Sequence, residues 1–302
     1  MNAALDAIMD PLAHTFMRHA LLAIMLVGAI CGITGSFVIL RGLAFLGDAL
    51  AHAVFPGVVI AYLLGVPVLI GALVAAIVVA LGIGAVGQNR RLSNDTAIGV
   101  LFAGGFALGI VLISARPTYT RDLSTFLFGS ILGVSKTDLQ LTALVSAIVA
   151  VTLWVFRREL VAIAFDRTFA EARGIRVWRF DQLFLLLLSL TIVISLQTVG
   201  NILVLAMLVT PAATARLLTD RLPVMLTLSA LIGAGSGVAG LYLSYYQGIS
   251  SGASVVLVAT LGFALTFLFN PKSGIVTAKV RQRLHYPHPE RDAFEESRGN
   301  VG

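Results

Sequence analysis

Long apolar stretches separated by short polar connections run along most of the chain. A helix needs about 20 mostly apolar residues to cross a bilayer, and nine stretches come close to or reach that length. The nine predicted spans are residues 20–40, 43–64, 66–87, 96–115, 139–156, 182–199, 202–218, 224–242 and 254–269. A tenth apolar piece, residues 123–134, is too short to cross and is typical of a helix that lies at the surface or between spans.

The composition agrees with a membrane protein. Of the 302 residues, 58% are hydrophobic and only 12% are charged, whereas a soluble domain carries about 25% charged residues. Too little polar surface remains for a water-soluble enzyme. A disulfide-stabilised secreted protein is excluded because Cys31 is the only cysteine. The sequence therefore predicts an all-α, polytopic membrane bundle of about nine transmembrane helices.

The basic residues are divided unequally between the two predicted faces of the membrane. With the nine spans given above, 17 of the 21 Lys and Arg residues fall on one side, which the positive-inside rule makes cytoplasmic. The N-terminus is then outside and the C-terminus is in the cytoplasm. This distribution explains the basic composition without a nucleic-acid partner. Three regions follow: an external amphipathic segment (1–19), a transmembrane domain (20–270) and a cytoplasmic tail (271–302).

Asp48 and His52 are the ionisable residues inside a predicted span. The other 35 of the 36 Asp, Glu, Lys and Arg residues fall in loops, tails or at span ends, and His52 is the one histidine of five in a span. An Asp at a helix centre costs about 2.5–3.5 kcal/mol on insertion scales and usually faces the bundle interior or an aqueous path. Residues i and i+4 share a helix face, so the two side chains can converge on one ion.

The ligand chemistry of this pair favours a borderline divalent cation. A carboxylate and an imidazole without a thiolate suit Mn, Fe or Zn better than Cu(I). Pro56 has no N–H, so it leaves the carbonyl of His52 without its usual helical partner and offers a third oxygen. Pro211, in the seventh span, is expected to kink its helix near the same path. The alternative is a buried Asp–His hydrogen bond that only joins helices.

The longest internal loop, residues 157–181, contains a predicted short cytoplasmic helix. Thr168 and Glu171 have the spacing of a capping box, and Gly174 is a suitable end. The helix would show Phe169 within a basic rim, and a plain surface helix is an equal alternative. No phosphate-binding loop of the form Gly-x-x-x-x-Gly-Lys-Ser/Thr occurs in the sequence, so ATP hydrolysis would require another chain.

These residues lie in motifs that resemble the membrane permeases of the ABC-3 family, which import manganese, zinc or ferrous iron in bacteria. The similarity extends over nearly all of residues 16–269. The motifs are VILRGLAFLGDALAHAVFPG (38–57), FDRTFAEARGIRV (165–177), QTVG (197–200), TPAATARLL (210–218), LSYY (243–246) and SGAS (251–254).

The resemblance implies a fold related to the vitamin B12 and siderophore (type II) importers, as a permease homodimer in the lipid of the bacterial plasma membrane. It implies a cytoplasmic ABC ATPase subunit, an extracytoplasmic metal-binding protein and no permanently bound cofactor. Asp48 and His52 match the ion path. The residues that match the ATPase-coupling helix are Asp166, Arg167, Thr168, Phe169, Glu171, Arg173 and Gly174.

The chain also departs from the family pattern. Many relatives have an acidic residue after the paired tyrosines, where this chain has Gln247 and Gly248. The segment from His52 to Gly57, with Pro56, is more similar to the manganese and iron members than to zinc members without the proline.

The sequence therefore predicts a permease subunit, not itself an enzyme, of an ATP-driven importer of manganese, zinc or ferrous iron. The alternative is a proton-coupled secondary metal carrier in which Asp48 and His52 relay protons. An intramembrane hydrolase is disfavoured because no second carboxylate or histidine lies within the predicted spans.

Overall fold

The computed structural model describes residues 9–86, 94–114 and 131–270, and within these ranges the chain is helical without β-strands. The helices are α1 (Thr15–Leu40), α2 (Ala44–Ala53), α3 (Phe55–Leu64), α4 (Val68–Val86), α5 (Asn94–Ser114), α6 (Lys136–Val155), α7 (Arg157–Phe165), α8 (Arg167–Ala172), α9 (Val177–Val199), α10 (Asn201–Leu218), α11 (Leu222–Gln247) and α12 (Ser251–Phe269). A 3₁₀ turn, Ile131–Gly133, precedes α6.

The predicted membrane bundle is confirmed. Eight helical segments of the described ranges are long and apolar enough to cross a bilayer, with α2 and α3 together forming one of them. The remaining predicted span, residues 96–115, corresponds to α5, whose apolar part is the shorter segment Ile98–Ser114. The first eight residues, most of residues 123–134 and the tail from residue 271 lie outside the described ranges.

Several helices extend beyond the apolar stretches that predicted them. Helix α1 begins at Thr15 rather than at residue 20, and α9 begins at Val177 rather than at residue 182. Helix α6 begins at Lys136, where Ser135 and Asp138 form a reciprocal capping box. A helix can continue through polar residues beyond the apolar stretch. Hydropathy alone therefore predicts helices that are too short at such ends.

The helices divide into a central and a peripheral set. In the most apolar part of each span, 78% of α9 and 67% of α1 is buried, compared with 17% of α12 and 22% of α4. A helix that is apolar all round can serve either position, so only the tertiary structure distinguishes the two sets.

Helices α1 and α11 approach each other closely through glycines. A Cβ atom at Gly28 would overlap the backbone of Gly233, and one at Gly233 would overlap the backbone of Gly28. Farther along the same two helices, the hydroxyl groups of Ser36 and Ser229 lie 2.8 Å apart. Small residues and interhelical hydrogen bonds are what hold helices together in lipid, where burial of apolar surface gives little driving force.

Two helix junctions consist of a single residue. Val54 forms the break between α2 and α3, although its backbone is itself helical, with φ −74° and ψ −22°. Gly200, which has a φ of 84°, separates α9 from α10. The second span therefore runs through Val54, whereas Gly200 joins two separate spans.

Candidate functional site

Asp48 and His52 lie on one face of α2, in the second membrane span. Asp48 Oδ1 is 3.3 Å from His52 Nε2. The side chain of Asp48 is 41% exposed and that of His52 is 24% exposed, so the pair opens on one side of the protomer. The structure therefore places the two side chains in contact, as their spacing predicts; their role as metal ligands stays a prediction.

Small residues allow α2 to pack tightly beside the pair. A Cβ at Gly47 would lie 2.6 Å from a methyl group of Leu208 on α10. On the other side, a Cβ at Gly105 of α5 would be in van der Waals contact with Ala53. The backbone that carries Asp48 and His52 is therefore packed between α5 and α10, more tightly at Gly47 than at Gly105.

Asn201 joins the pair, and the sequence analysis did not identify it. Its side-chain Nδ2 is 3.3 Å from His52 Nε2, and the residue is 5% exposed. Its Oδ1 is buried without a hydrogen-bond partner in the described structure. The available signal was the Gly200-Asn201 dipeptide, which interrupts a long, mostly apolar run between residues 182 and 215.

Two phenylalanines of α5 form a wall beside His52. The ring centroids of Phe102 and Phe106 lie 5.6 Å and 5.4 Å from that of the imidazole, in both cases with strongly tilted planes. These rings keep lipid and water from one side of His52. In the sequence they are two of 17 phenylalanines, and nothing in the local pattern distinguishes them.

The two prolines named from the sequence have different environments. Pro56 lies in the first turn of α3, directly after the break at Val54. Pro211 is buried inside α10, which is assigned as one continuous helix. The break near Pro56 agrees with a missing backbone donor; a kink at Pro211 and a free carbonyl of His52 stay predictions.

The 157–181 segment folds into α7 and α8, and one detail of its prediction was wrong. The N-cap of α8 is Asp166, whose carboxylate accepts a hydrogen bond from the Phe169 N–H at 3.0 Å. The Thr168–Glu171 capping box therefore does not form. Asp is at least as good an N-cap as Thr, and capping at Asp166 starts the helix two residues earlier.

The end and the exposed face of α8 agree with the sequence prediction. Gly174 follows the helix with a φ of 81°. Phe169 is 53% exposed, and the guanidinium of Arg173 lies 5.2 Å from its ring. Glu171 is also exposed. The helix thus shows an aromatic side chain with a basic neighbour, and binding of an ATPase to it stays a prediction.

Asp181 connects α8 to the end of α1, a role that the sequence analysis did not assign. Arg167 donates to Asp181 Oδ2 at 2.7 Å, and Arg41 donates to Asp181 Oδ1 at 2.9 Å. The Arg41 guanidinium also lies 4.5 Å from the ring centroid of Phe184. Burial lowers the pKa of Arg41, and the charge of Asp181 opposes that shift, so Arg41 keeps its positive charge.

A cavity of about 700 Å³ lies beside this network. It is bounded by the start of α2, by α4 and α5, and by α7 to α9; its lining includes Arg41, Leu46, Asp181 and Gln182. Leu46 lies two residues before Asp48 and therefore on a different side of α2. The cavity lies on the side of α8 and does not include the Asp48–His52 pair.

The comparisons with known proteins agree with this architecture. The profile of the ABC 3 transport family matches residues 13–270. The chain belongs to the ABC 3 transport family. It is 51% identical over 266 residues, which are 88% of this chain and 91% of the relative, to the manganese transport system membrane protein MntC of Halalkalibacterium halodurans. It is 38% identical to the chelated iron transport system membrane protein YfeC of Yersinia pestis, over 94% of this chain and 97% of the relative.

Solved structures of family members and of more distant proteins share the fold. PsaBC from Streptococcus pneumoniae, in complex with a Fab, superposes with a TM-score of 0.80 at 38% identity, covering 91% of this chain and 99% of the other. An inward-facing structure of a metal-chelate type ABC transporter matches with a TM-score of 0.65 at 18% identity, which bears on the fold alone. This member of the ABC 3 transport family therefore has the helical bundle of such permeases.

Proposed function

We propose that this protein is the membrane permease subunit of an ATP-driven importer of a divalent transition metal, and that the ion passes Asp48 and His52. Manganese or ferrous iron is the expected cargo, because the manganese and iron transport proteins named above are 51% and 38% identical to this chain. Zinc, which the same donor atoms also bind, is kept as a competing cargo.

The observation that carries the proposal is the Asp48–His52 pair in a membrane helix. A carboxylate in a span is expensive and is retained where it faces protein or an aqueous path. Asp48 is 41% exposed in the single protomer, and exposure to lipid would leave that cost without compensation. We infer that the exposed side faces a path for the ion, at the contact with a second copy of the chain.

The assembly follows the same reasoning. The cytoplasmic side is the one that holds α7 and α8. The sequence contains no phosphate-binding loop of its own, so ATP hydrolysis requires a separate ABC ATPase, which binds on this side. A metal-binding protein delivers the ion on the opposite side. The cavity lined by Leu46 and by residues of α7 to α9 then lies on the cytoplasmic side of the bundle.

Replacement of the pair tests the proposal. The permease would be expressed with its ATPase and metal-binding protein in bacteria that lack their own manganese importers, and cellular manganese would be measured by mass spectrometry. Asp48→Asn removes the negative charge of the carboxylate and His52→Ala removes the imidazole, and we expect each to lower manganese uptake about tenfold or more. His19→Ala, which changes a histidine of α1 remote in sequence from the pair, is the matched control and should leave uptake unchanged.

A second experiment distinguishes a transporter driven by ATP hydrolysis from one driven by the proton gradient. An ATPase variant that cannot hydrolyse ATP should stop uptake, and collapse of the proton gradient should not. Uptake that continues without ATP hydrolysis and stops with the proton gradient would support the proton-coupled carrier instead. Full uptake by both Asp48→Asn and His52→Ala would refute the role of the pair.

A further inference from the structure

Three polar groups from the end of α2 and the start of α10 lie close together in the bundle. His52 lies in the last turn of α2, and Asn201 is the first residue of α10, directly after Gly200. Asp48 Oδ1 and Asn201 Nδ2 each lie 3.3 Å from His52 Nε2. The two helix ends therefore meet at the same imidazole nitrogen.

With the Asn201 amide nitrogen turned toward His52, the hydrogen bonds of these groups cannot all be satisfied at once. His52 Nε2 carries either a hydrogen or a lone pair. With a hydrogen it donates to Asp48 but opposes the amide N–H of Asn201. With a lone pair it accepts from Asn201 but opposes the lone pairs of an ionised Asp48. In addition, Asn201 Oδ1 is buried and has no partner in the described structure, although buried polar atoms are rarely left unpaired.

Rotation of the Asn201 amide by about 180° removes this conflict, because it exchanges Oδ1 and Nδ2 without a change of shape. In the rotated form Nε2–H can donate to both oxygens. Alternatively, Nε2 carries a lone pair, and Asp48 Oδ1, His52 Nε2 and Asn201 Oδ1 can then bind one cation. The ligand atoms of a cation with bonds of about 2.1 Å lie about 3.0 Å apart in an octahedron and about 3.4 Å apart in a tetrahedron. The two separations of 3.3 Å fall within that range.

We propose that the side-chain amide oxygen of Asn201 is the third protein ligand of the ion that passes Asp48 and His52, and that it selects manganese over zinc. This inference rests on the proposed function, since it concerns the same ion path. In the described residues no third His, Cys, Asp or Glu joins the pair, so a further protein ligand from a side chain has to be neutral.

The selectivity follows from the type of oxygen that Asn201 supplies. Carboxylate, carbonyl and water oxygens suit manganese, whereas zinc is bound well by imidazole and thiolate with few ligands. An added amide oxygen therefore contributes more to manganese than to zinc. Phe102 and Phe106 flank His52 and leave no polar atom of their own for the ion, which makes the contribution of Asn201 larger.

A positioning role for Asn201 makes a different prediction. If the amide only orients the His52 ring through a hydrogen bond, its loss displaces a ligand that manganese and zinc share, and uptake of both metals falls by the same factor. The ratio of manganese to zinc uptake is therefore the readout that separates a ligand from a positioning residue.

The test uses the complete transporter in bacteria without their own manganese and zinc importers, supplied with manganese(II) chloride and zinc(II) chloride at equal concentration. Asn201→Leu keeps the size of the side chain and removes the oxygen. We expect its manganese-to-zinc uptake ratio to fall about tenfold, as for the loss of one contributor to a metal site. Asn201→Asp keeps an oxygen in the same place and should retain or raise the wild-type ratio.

A matched control is Ser146→Ala on α6. Ser146 is also buried in a membrane helix with a side-chain oxygen that has no partner in the described structure, so its replacement should change neither uptake nor ratio. Assembly of each variant is checked by co-purification with the ATPase. If Asn201→Leu does not assemble, Asn201→Asp decides: a lowered manganese-to-zinc ratio in that variant overturns the inference.

Asp48→Asn and His52→Ala, measured in parallel, separate this inference from the proposed function. If both retain full uptake, the ion does not pass the pair and the proposed function loses its basis. If both lose uptake while Asn201→Leu retains the wild-type ratio, or loses both metals equally, the ion path stands and Asn201 is not a selective ligand.

Discussion

Asp181 pairs with two arginines where the end of α1, the start of α8 and α9 meet. Its carboxylate receives hydrogen bonds from Arg41, whose side chain is 8% exposed, and from Arg167, whose side chain is 57% exposed. An arginine as buried as Arg41 requires a counter-charge, because a buried unpaired charge is far costlier than a buried pair. Asp181 therefore does more for stability through Arg41 than through Arg167.

Replacement of Asp181 by Asn should destabilise the permease. Loss of the carboxylate leaves Arg41 buried without compensation, and removal of one partner of a buried pair costs about 3–5 kcal/mol; the partial exposure of Asp181 places the expected value at the low end. A lower melting temperature of the purified permease is the measurement. Asp220→Asn is the control, since Asp220 is 76% exposed and lies 3.8 Å from Arg216. An equal effect of the two substitutions would contradict this account.

Residues differ in how visible their role is in the sequence. Asp48 and His52 were identifiable because ionisable side chains in a span are rare and costly. Asn201 was not, since an uncharged amide at the edge of an apolar run has no such cost. Asp181 lies next to a predicted span end, where a charged residue is normally solvated. Its two arginine partners come from positions 14 and 140 residues away in sequence.

At the scale of helices, the contact between α1 and α11 depends on glycines that face each other. Gly28 and Gly233 bring the two backbones together, and no side chain fits between them. Glycine spacing in a membrane helix favours such contacts, but the partner of each glycine is set by the arrangement of the bundle.

Two glycines of α11 allow a comparison within one helix. Gly233→Leu should push α11 away from α1, and forced overpacking costs about 1–3 kcal/mol or more. Gly235→Leu is the control, because a side chain there would meet open space. The measurement is the yield of monodisperse permease and its melting temperature. Similar losses for both variants would show that glycine itself, rather than the close approach at Gly233, matters.

At the scale of the whole molecule, the exposed apolar surface has two kinds of location. Most of it lies on peripheral helices such as α4 and α12, where little of each span is buried. A second group, Phe165, Phe169 and Trp178, lies on or beside α7 to α9 outside the most apolar part of the bundle. Aromatic side chains at such a position favour binding to another protein.

Phe169 provides the test of ATPase binding at this surface. Phe169→Ala should weaken association of the permease with its ATPase about tenfold, as for loss of an aromatic anchor, with the folded permease otherwise unchanged. Titration of the ATPase onto permease in nanodiscs measures the affinity. Leu257→Ala, at a 56% exposed position of α12, is the control. Unchanged affinity in Phe169→Ala would place the ATPase elsewhere.

The sequence alone determined the class of fold, the approximate spans and the Asp48–His52 pair. The reason is that lipid cannot hydrogen-bond to the backbone or solvate a charge, so each crossing requires an apolar run and each charge within one stands out. The N-cap of α8 was misplaced because Asp166 and Thr168 are both suitable caps, and local pattern does not decide between competing caps.

The tertiary structure decided which helices are central, which glycines meet, and that Asn201 and Asp181 join residues far away in sequence. The sequence of a helix with apolar residues on every side does not predict what the helix packs against, because a leucine can face either lipid or protein. Contacts between distant polar groups, such as those around His52 and around Asp181, therefore form only when the bundle folds.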